Sequence, residues 1–134
     1  MELALAVAVL LLPAALVVTA FGPWSERRVI AEAAAAEAAR TTVLQLDHAA
    51  GGAVVLSAVM ARGVVPDLIR LGWCGAVPVA VEQAPSACPL LRGTSVEARV
   101  EVWAPLIRTP WGDVGGVWVS GTHTEPIDLY RSLG

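Results

Sequence analysis

The sequence contains no lysine and little charge of either sign. Charged residues make up 16% of its 134 residues, and nine basic residues, all arginine, face twelve acidic ones, for a formal net charge of -3. Soluble domains carry roughly 25% charged residues, and a nucleic-acid-binding surface needs a basic face to displace counterions from phosphate. The composition therefore argues against a freely soluble protein and against a nucleic-acid partner. The apolar content of 56% also argues against intrinsic disorder.

Motifs that carry catalytic chemistry are missing as well. The only histidines are His48 and His123, and there is no Gly-x-Ser-x-Gly elbow, phosphate-binding glycine loop or HExxH helix. Glu97 and Glu101 flank Arg99, a pattern typical of an ion-paired outer strand face. Two cysteines and two distant histidines offer too few ligands for a metal site. We therefore predict a protein that is not an enzyme and uses no cofactor or metal.

The sequence does have a long apolar run near its N-terminus. From Leu3 to Gly22 no residue is charged, and Thr19 is the only one with a hydrogen-bonding side chain. About 20 apolar residues span about 30 Å as a helix, which matches the hydrocarbon thickness of a bilayer. Trp24 follows the run, where an indole favours the headgroup level. Residues 1–24 are predicted to form the transmembrane helix of a single-pass protein, kinked rather than broken at Pro13.

Two other interpretations of the run compete with a membrane anchor. A secretory signal cleaved after Val18-Thr19-Ala20 would leave a secreted soluble domain. However, the run is longer than the usual apolar core of a signal peptide, and no basic residues precede it. A buried core helix fits less well, because the run has no polar face.

The orientation in the membrane depends on two opposing observations. Arg27 and Arg28 follow the run and nothing basic precedes it, so the positive-inside rule favours a cytoplasmic C-terminus. Cys74 and Cys88, in loop-like surroundings, suit a disulfide in an oxidising compartment, although a pair of free thiols is the alternative. We favour the disulfide and predict that the C-terminal domain is extracytoplasmic.

Two helices are predicted after the membrane run. Residues 25–46 are rich in alanine, glutamate and arginine, which are strong helix formers, and would extend the membrane helix as a stem. The alanines would let other helices approach closely, but a solvated helix has the same composition. Asp47 is predicted to cap a second helix from Ala49 to Arg62, which Gly63 ends. Pro66 to Leu71 is expected to add one helical turn.

In the C-terminal half, apolar residues recur with a period of two, which is typical of strands. Three short antiparallel strands are predicted, around Val77 to Val81, over Thr94 to Trp103, and around Val117 to Ser120. The stem or the second helix would cover their apolar face. Residues 47–134 are thus predicted to form an α+β head with a small three-stranded sheet.

Two residues are candidates for contacts with other molecules. Glu2 stands where the chain enters the bilayer, and a charge there is costly unless it is paired, although a solvated position in the headgroup layer is the alternative. Trp111 lies in a loop predicted from Ala104 to Gly116. It is a possible ligand contact, although a loop tryptophan more often folds back on its domain. A cell-envelope binding module with a passive anchor is therefore an alternative function.

The order of these features resembles the TadE-like family of pilus-assembly proteins, the minor pseudopilins of tight-adherence systems. The resemblance is carried by Glu2-Leu3-Ala4-Leu5 before an apolar run with Pro13, by the stem AEAAAAEAARTT, and by the pair VEARVEVWAPL and GVWVSGTHTEPIDLYRS. It implies a pilin-like, single-pass protein of the cell membrane or a surface pilus, with an external C-terminal domain. The implied partners are other pilin-like subunits, including further copies of the chain, and the pilus assembly platform.

The resemblance also implies processing by a prepilin peptidase and a role for one carboxylate. Glu2 would pair with the N-terminus of a neighbouring subunit in the membrane or filament. Family members usually have a basic leader and a small-residue processing site before this glutamate, whereas Met1 precedes it here. We therefore expect either that the natural chain starts further upstream or that this member is not processed.

Overall fold

In the computed structural model, which describes residues 1–130, the chain begins with one helix of 44 residues. This helix, α1, spans Glu2–Gln45 and passes through Pro13 and Pro23 without a break. Leu46, in the left-handed conformation, ends it. The prediction that the membrane run and the stem form a single helix is therefore confirmed. Of the predicted head, residues 131–134 lie outside the described residues.

The second helix begins as the sequence predicts. The Asp47 carboxylate accepts a hydrogen bond from the backbone N–H of Ala49 at 2.9 Å and thereby caps α2, which spans His48–Met60. The helix ends slightly before the predicted Arg62. The turn that follows places Gly63 at a φ of 83°, a conformation that glycine adopts at little cost.

The sheet has four antiparallel strands instead of the predicted three. Their spatial order is β2-β1-β3-β4, and their bounds are β1 Ile69–Trp73, β2 Val79–Ala80, β3 Ser95–Thr109 and β4 Gly112–Pro126. The predicted helical turn is confined to Pro66–Leu68, and β1 follows directly. The first predicted strand is reduced to β2, because Val81–Gln83 forms a 3₁₀ turn.

The segment predicted as a loop from Ala104 to Gly116 is the distal half of a β-hairpin. β3 and β4 keep one pairing register up to Thr109 and Gly112, which leaves Pro110 and Trp111 as the turn. Pro105, Pro110 and Gly112 make this segment look like a loop in the local sequence. Pro105 is tolerated in β3 because β1 pairs with β3 only as far as Val102, so this part of the strand is an edge.

The core lies between the inner face of the sheet and the C-terminal half of α1. Every second residue of β3 from Val96 to Val102 is fully buried, as its alternating pattern predicts. The opposing face of α1 is also buried and consists of Ile30, Ala31, Ala34, Ala35, Ala38, Ala39, Thr42 and Val43. The stem is therefore not a solvated helix. Its alanines allow a close approach, but the neighbours are the sheet and α2 of the same chain.

Candidate functional site

The first half of α1 is an apolar surface that no other part of residues 1–130 covers. Residues 1–19 are all exposed, and an 18-residue window of the helix has a mean hydropathy of 2.7 with none of it buried. Among the described residues, α1 is the one helix long and apolar enough to cross a membrane. Its composition and N-terminal position are those of a membrane anchor or a signal sequence.

Glu2 lies in the first turn of α1, at the far end of this apolar surface. Its carboxylate is favoured there by the positive end of the helix dipole. It is 28 residues before Ile30, the first buried residue of the helix, which corresponds to about 42 Å along the helix axis. The core of the head, as far as the structure describes it, therefore lies more than a bilayer core's thickness away from this carboxylate.

The two cysteines form the predicted disulfide. Cys74 and Cys88 are bonded, with a Cα–Cα distance of 5.9 Å, and the bridge ties the end of β1 to the segment before β3. Disulfides persist in oxidising compartments. The bridge therefore supports an extracytoplasmic position for the domain that carries it.

The disulfide has a histidine neighbour that sequence patterns did not single out. Nε2 of His48 lies 3.8 Å from Sγ of Cys88, and the His48 ring meets Trp73 edge-on at 5.0 Å between centroids. Burial lowers the pKa of His48, and the nearby Asp47 carboxylate opposes this shift in part. His48 and Cys88 are 40 residues apart, so no local pattern could have revealed the contact.

The lowered pKa of His48 predicts a loss of stability in acid. Above the unfolded-state pKa of about 6.5, His48 is neutral in both states and contributes no pH dependence. As the pH falls below that value, the unfolded chain binds the proton more readily, so the free energy of unfolding decreases until the lower folded-state pKa is passed. His48→Gln should flatten this decrease in urea unfolding curves between pH 8 and 5 relative to the wild type. An unchanged slope in His48→Gln would contradict the assignment.

The outer face of the sheet carries a cluster of tryptophan and arginine. Trp103 and Trp118 pair across β3 and β4 with ring centroids 5.3 Å apart, and the Arg70 guanidinium lies 3.9 Å from the Trp118 ring centroid. Arg99 Nη2 and Glu101 Oε1 are 3.3 Å apart on the same face. The sequence predicted the ion-paired strand but not the cation–π contact, because Arg70 belongs to the strand it did not identify. The alternation Ile-Arg-Leu-Gly-Trp in β1 is the sequence pattern that could have predicted this strand.

A groove of about 600 Å³ lies between α2 and the β1–β2 edge of the sheet. Leu56 and Ile69 form part of its apolar wall, and the charged lining residues are Asp67, Arg70 and Glu82. Within residues 1–130, no cluster of three or more His, Cys, Asp or Glu side chains is arranged to hold a metal ion. The charges that line the groove are therefore of both signs.

Trp111 lies at the hairpin turn and does not fold back on the head. Its side chain is 87% exposed. Apolar residues on the adjoining ends of the two strands are exposed too, namely Leu106, Ile107, Val114 and Val117. Arg108 and Asp113, which lie opposite each other in the two strands, are exposed beside them. The turn thus carries a tryptophan and an apolar patch next to one pair of opposite charges, and we call Trp111 and the four apolar residues the hairpin tip.

No family model, curated protein or solved structure matches this chain. The fold is nevertheless pilin-like in architecture, since a long, N-terminally apolar helix packs by its second half on an antiparallel sheet. Function must therefore be argued from the architecture and from the sites described above.

Proposed function

We propose that the protein is a non-enzymatic, membrane-anchored minor pilin-like subunit that takes part in assembly of a tight-adherence, type IV-like pilus. The observation that carries the proposal is the division of α1. Its first 19 residues are exposed and almost wholly apolar, whereas its face from Ile30 to Val43 is buried in the core of the head. One continuous helix couples the two parts mechanically, so a displacement of the membrane segment moves the head. A passive anchor needs no such continuity.

The mechanism follows from what the exposed half of the helix can contact. Lipid tails are as apolar as leucine side chains, so exchanging lipid for the helices of neighbouring subunits has a small net cost. The buried alanines of the stem are already used by the sheet and α2. Contacts between subunits therefore involve the membrane half of α1, and the alanine face maintains the shape of each subunit.

Glu2 would select the position of a neighbouring subunit during assembly. An ionised carboxylate at the membrane end of an apolar helix is unfavourable when unpaired, and a cationic partner in the same low-dielectric layer relieves that cost. In the proposed assembly the partner is the N-terminal amine of the adjacent subunit. This pairing defines an axial register between otherwise featureless apolar helices.

Glu2→Gln is the direct test, with Glu26→Gln as the matched control on the same helix. We expect Glu2→Gln to reduce the amount of protein in sheared surface filaments at least about tenfold, because leaving one charge of a buried pair without its partner costs more than about 1.4 kcal/mol. Glu26 is exposed between the membrane run and the head, so its substitution should have no effect. Both variants should remain in the membrane fraction. Normal filament incorporation of Glu2→Gln would contradict the proposal.

A helix exchange distinguishes this function from that of a binding module with a passive anchor. Replacing residues 2–22 with an unrelated membrane helix of equal length should abolish incorporation into filaments if subunits assemble through this segment. A passive anchor would tolerate the exchange. The intact mass of the native protein adds a separate check, because a chain that starts near Phe21 would indicate a cleaved signal and a secreted domain.

A further inference from the structure

The hairpin tip and the apolar half of α1 project from the same end of the head, and the contacts of α1 establish this direction. Gly121 of β4 lies directly against α1, because a Cβ atom at this glycine would overlap the backbone of Ala31 and Glu32. Gly121 pairs with Val100 of β3. The N-terminal end of the buried helix face therefore lies level with Val100.

The opposite end of the buried helix face lies further from the hairpin turn. A Cβ atom at Gly51 would overlap the Thr42 hydroxyl and lie 2.8 Å from Cη2 of Trp73, so these residues meet at one point. Trp73 pairs with Ala98, two residues before Val100 in β3. The N-terminal part of the buried helix face therefore lies beside later residues of β3 than the C-terminal part does. Because β3 runs toward the turn, α1 points toward the turn in the direction of its N-terminus.

The second helix gives the same direction independently. Leu56 lines a groove together with Ile69, which pairs with Val102 of β3. Val59, one turn later in α2, lines a different groove together with Ile30 of α1. The C-terminal end of α2 is thus close to the part of β3 that lies nearer the turn. It is also close to the part of α1 that lies nearer the apolar run.

Protein atoms also cover α1 on the membrane side of its buried face. Nε and Nη1 of Arg27, one turn before Ile30, have no solvent-exposed surface. In β3, Ala104 is buried although β1 pairs no further than Val102. The head therefore extends along the helix toward the apolar run.

Element lengths show how far the hairpin reaches. From Val100 to Thr109 the nine-residue step in β3 covers about 30 Å. From Ala31 back to Gly22, the last residue of the apolar run, the nine-residue step in α1 covers only about 14 Å. The contacts above set the inclination, because the eleven residues of α1 from Ala31 to Thr42, about 16 Å, match two residues of β3, about 7 Å. At that inclination the turn reaches about 12 Å along α1 from Ala31, which is the level of Pro23 and Trp24.

The chemistry of the hairpin tip suits this level. Trp111 is the outermost aromatic residue of the hairpin, and amphipathic indoles are enriched where headgroups meet acyl chains. On α1, Trp24 lies at the end of the apolar run, with the Arg28 guanidinium 5.5 Å from its ring centroid. An exposed apolar patch of this kind marks an interaction surface, and the surface that α1 brings to the same level is the bilayer.

We propose that the hairpin tip inserts into the interfacial layer of the bilayer beside α1, with Trp111 at the depth of the headgroups and upper acyl chains. The occupant of this apolar surface is lipid, because the anchoring helix holds the tip at the membrane before any protein partner arrives. Two contacts with the membrane, one through α1 and one through the tip, fix the tilt and rotation of the head. The inference depends on the membrane anchor and does not require pilus assembly.

Quenching of tryptophan fluorescence by lipids brominated on the acyl chain tests the proposal. Trp24→Phe removes the tryptophan of the membrane helix and leaves four of the five in the chain. In vesicles of brominated phosphatidylcholine, the full-length Trp24→Phe protein should lose up to about a quarter of its emission relative to non-brominated vesicles, since one of its four tryptophans is quenched. Adding Trp111→Phe should abolish that loss, whereas adding Trp118→Phe should retain it. Circular dichroism confirms that each variant is folded.

Two outcomes would overturn the proposal. One is emission of the Trp24→Phe protein that brominated lipid leaves unchanged. The other is Trp111 emission that shifts with the protein-to-lipid ratio but is not quenched, which would assign the tip to a second copy of the chain. Because neither readout depends on filament formation, failure here would leave the proposed pilin-like function untouched.

Discussion

Replacing Gly51 with alanine is expected to lower the free energy of unfolding by about 2 kcal/mol, although the substitution improves helix propensity. The added Cβ would overlap the Thr42 hydroxyl, lie 2.8 Å from Cη2 of Trp73 and lie 2.9 Å from the backbone oxygen of Ala38. The backbone of α1 cannot yield without moving off the sheet. Overpacking of a core typically costs about 1–3 kcal/mol, and a backbone contact lies at the upper end.

Gly52→Ala is the matched control, one residue further along the same helix. The nearest atom to its added Cβ is Cγ1 of Val81 at 3.4 Å, which is an ordinary contact with a side chain. Gly52→Ala should therefore be neutral or stabilise the protein by up to about 1 kcal/mol, the helix-propensity difference between glycine and alanine. Urea unfolding of both full-length variants in detergent, followed by circular dichroism, measures the difference. Effects of equal size and sign would show that α1 and α2 do not meet as described.

Removing the disulfide is expected to lower the free energy of unfolding by about 3 kcal/mol, the chain-entropy value for a loop of about 15 residues. Cys74 and Cys88 are separated by 14 positions, and the loop between them contains β2 and the Val81–Gln83 turn. Freed from the bridge, this segment gains conformational entropy in the unfolded state. The double variant Cys74→Ser with Cys88→Ser should therefore unfold at lower urea concentration than the wild type.

Reduction provides the control for this prediction. A reductant should destabilise the wild-type protein to the level of the double serine variant and leave the variant unchanged. The intact mass of the wild type should increase by two hydrogens on reduction. A wild-type protein whose mass and unfolding curve are both insensitive to reductant would show that the cysteines are not paired in the isolated protein.

The head cannot be produced as a folded fragment without the C-terminal half of α1, because that half forms part of the core. Ile30 and the alanines up to Ala39 form one wall of the core, and the fully buried residues of β3 form the other. A soluble fragment that lacks this part of the helix would expose the inner face of the sheet, which is an aggregation hazard. A fragment intended to fold must therefore begin before Ile30.

Several features could be predicted from the sequence because they depend on local patterns. Unbroken apolarity over one bilayer thickness predicts the exposed apolar half of α1, and helix-forming residues predict its continuation to residue 45. Asp47 caps α2 through a bond to the backbone two residues away. The alternation in β3 identified its buried face, since strand side chains alternate between faces wherever the strand is placed.

Other features were decided only by the tertiary structure. β1 is short and contains Gly72, so its local pattern is weak, and its partner residues in β3 lie about 25 to 33 positions later in the chain. Pro105 and the glycines of β4 suggest a loop, but continuous pairing and a free strand edge outweigh their local preference.

The same distinction applies to the candidate sites. Residue type and position alone indicate Glu2, the two cysteines and Trp111 as candidates. A charge beside an apolar run and an even number of cysteines can both be read directly from the sequence. Three other features could not be predicted in this way: which residues pack on the alanine face, the His48–Cys88 contact, and the common direction of the hairpin and the apolar half of α1. Each depends on which distant segments pack together and in which register, and a local sequence pattern specifies a face to be buried without specifying the surface that buries it.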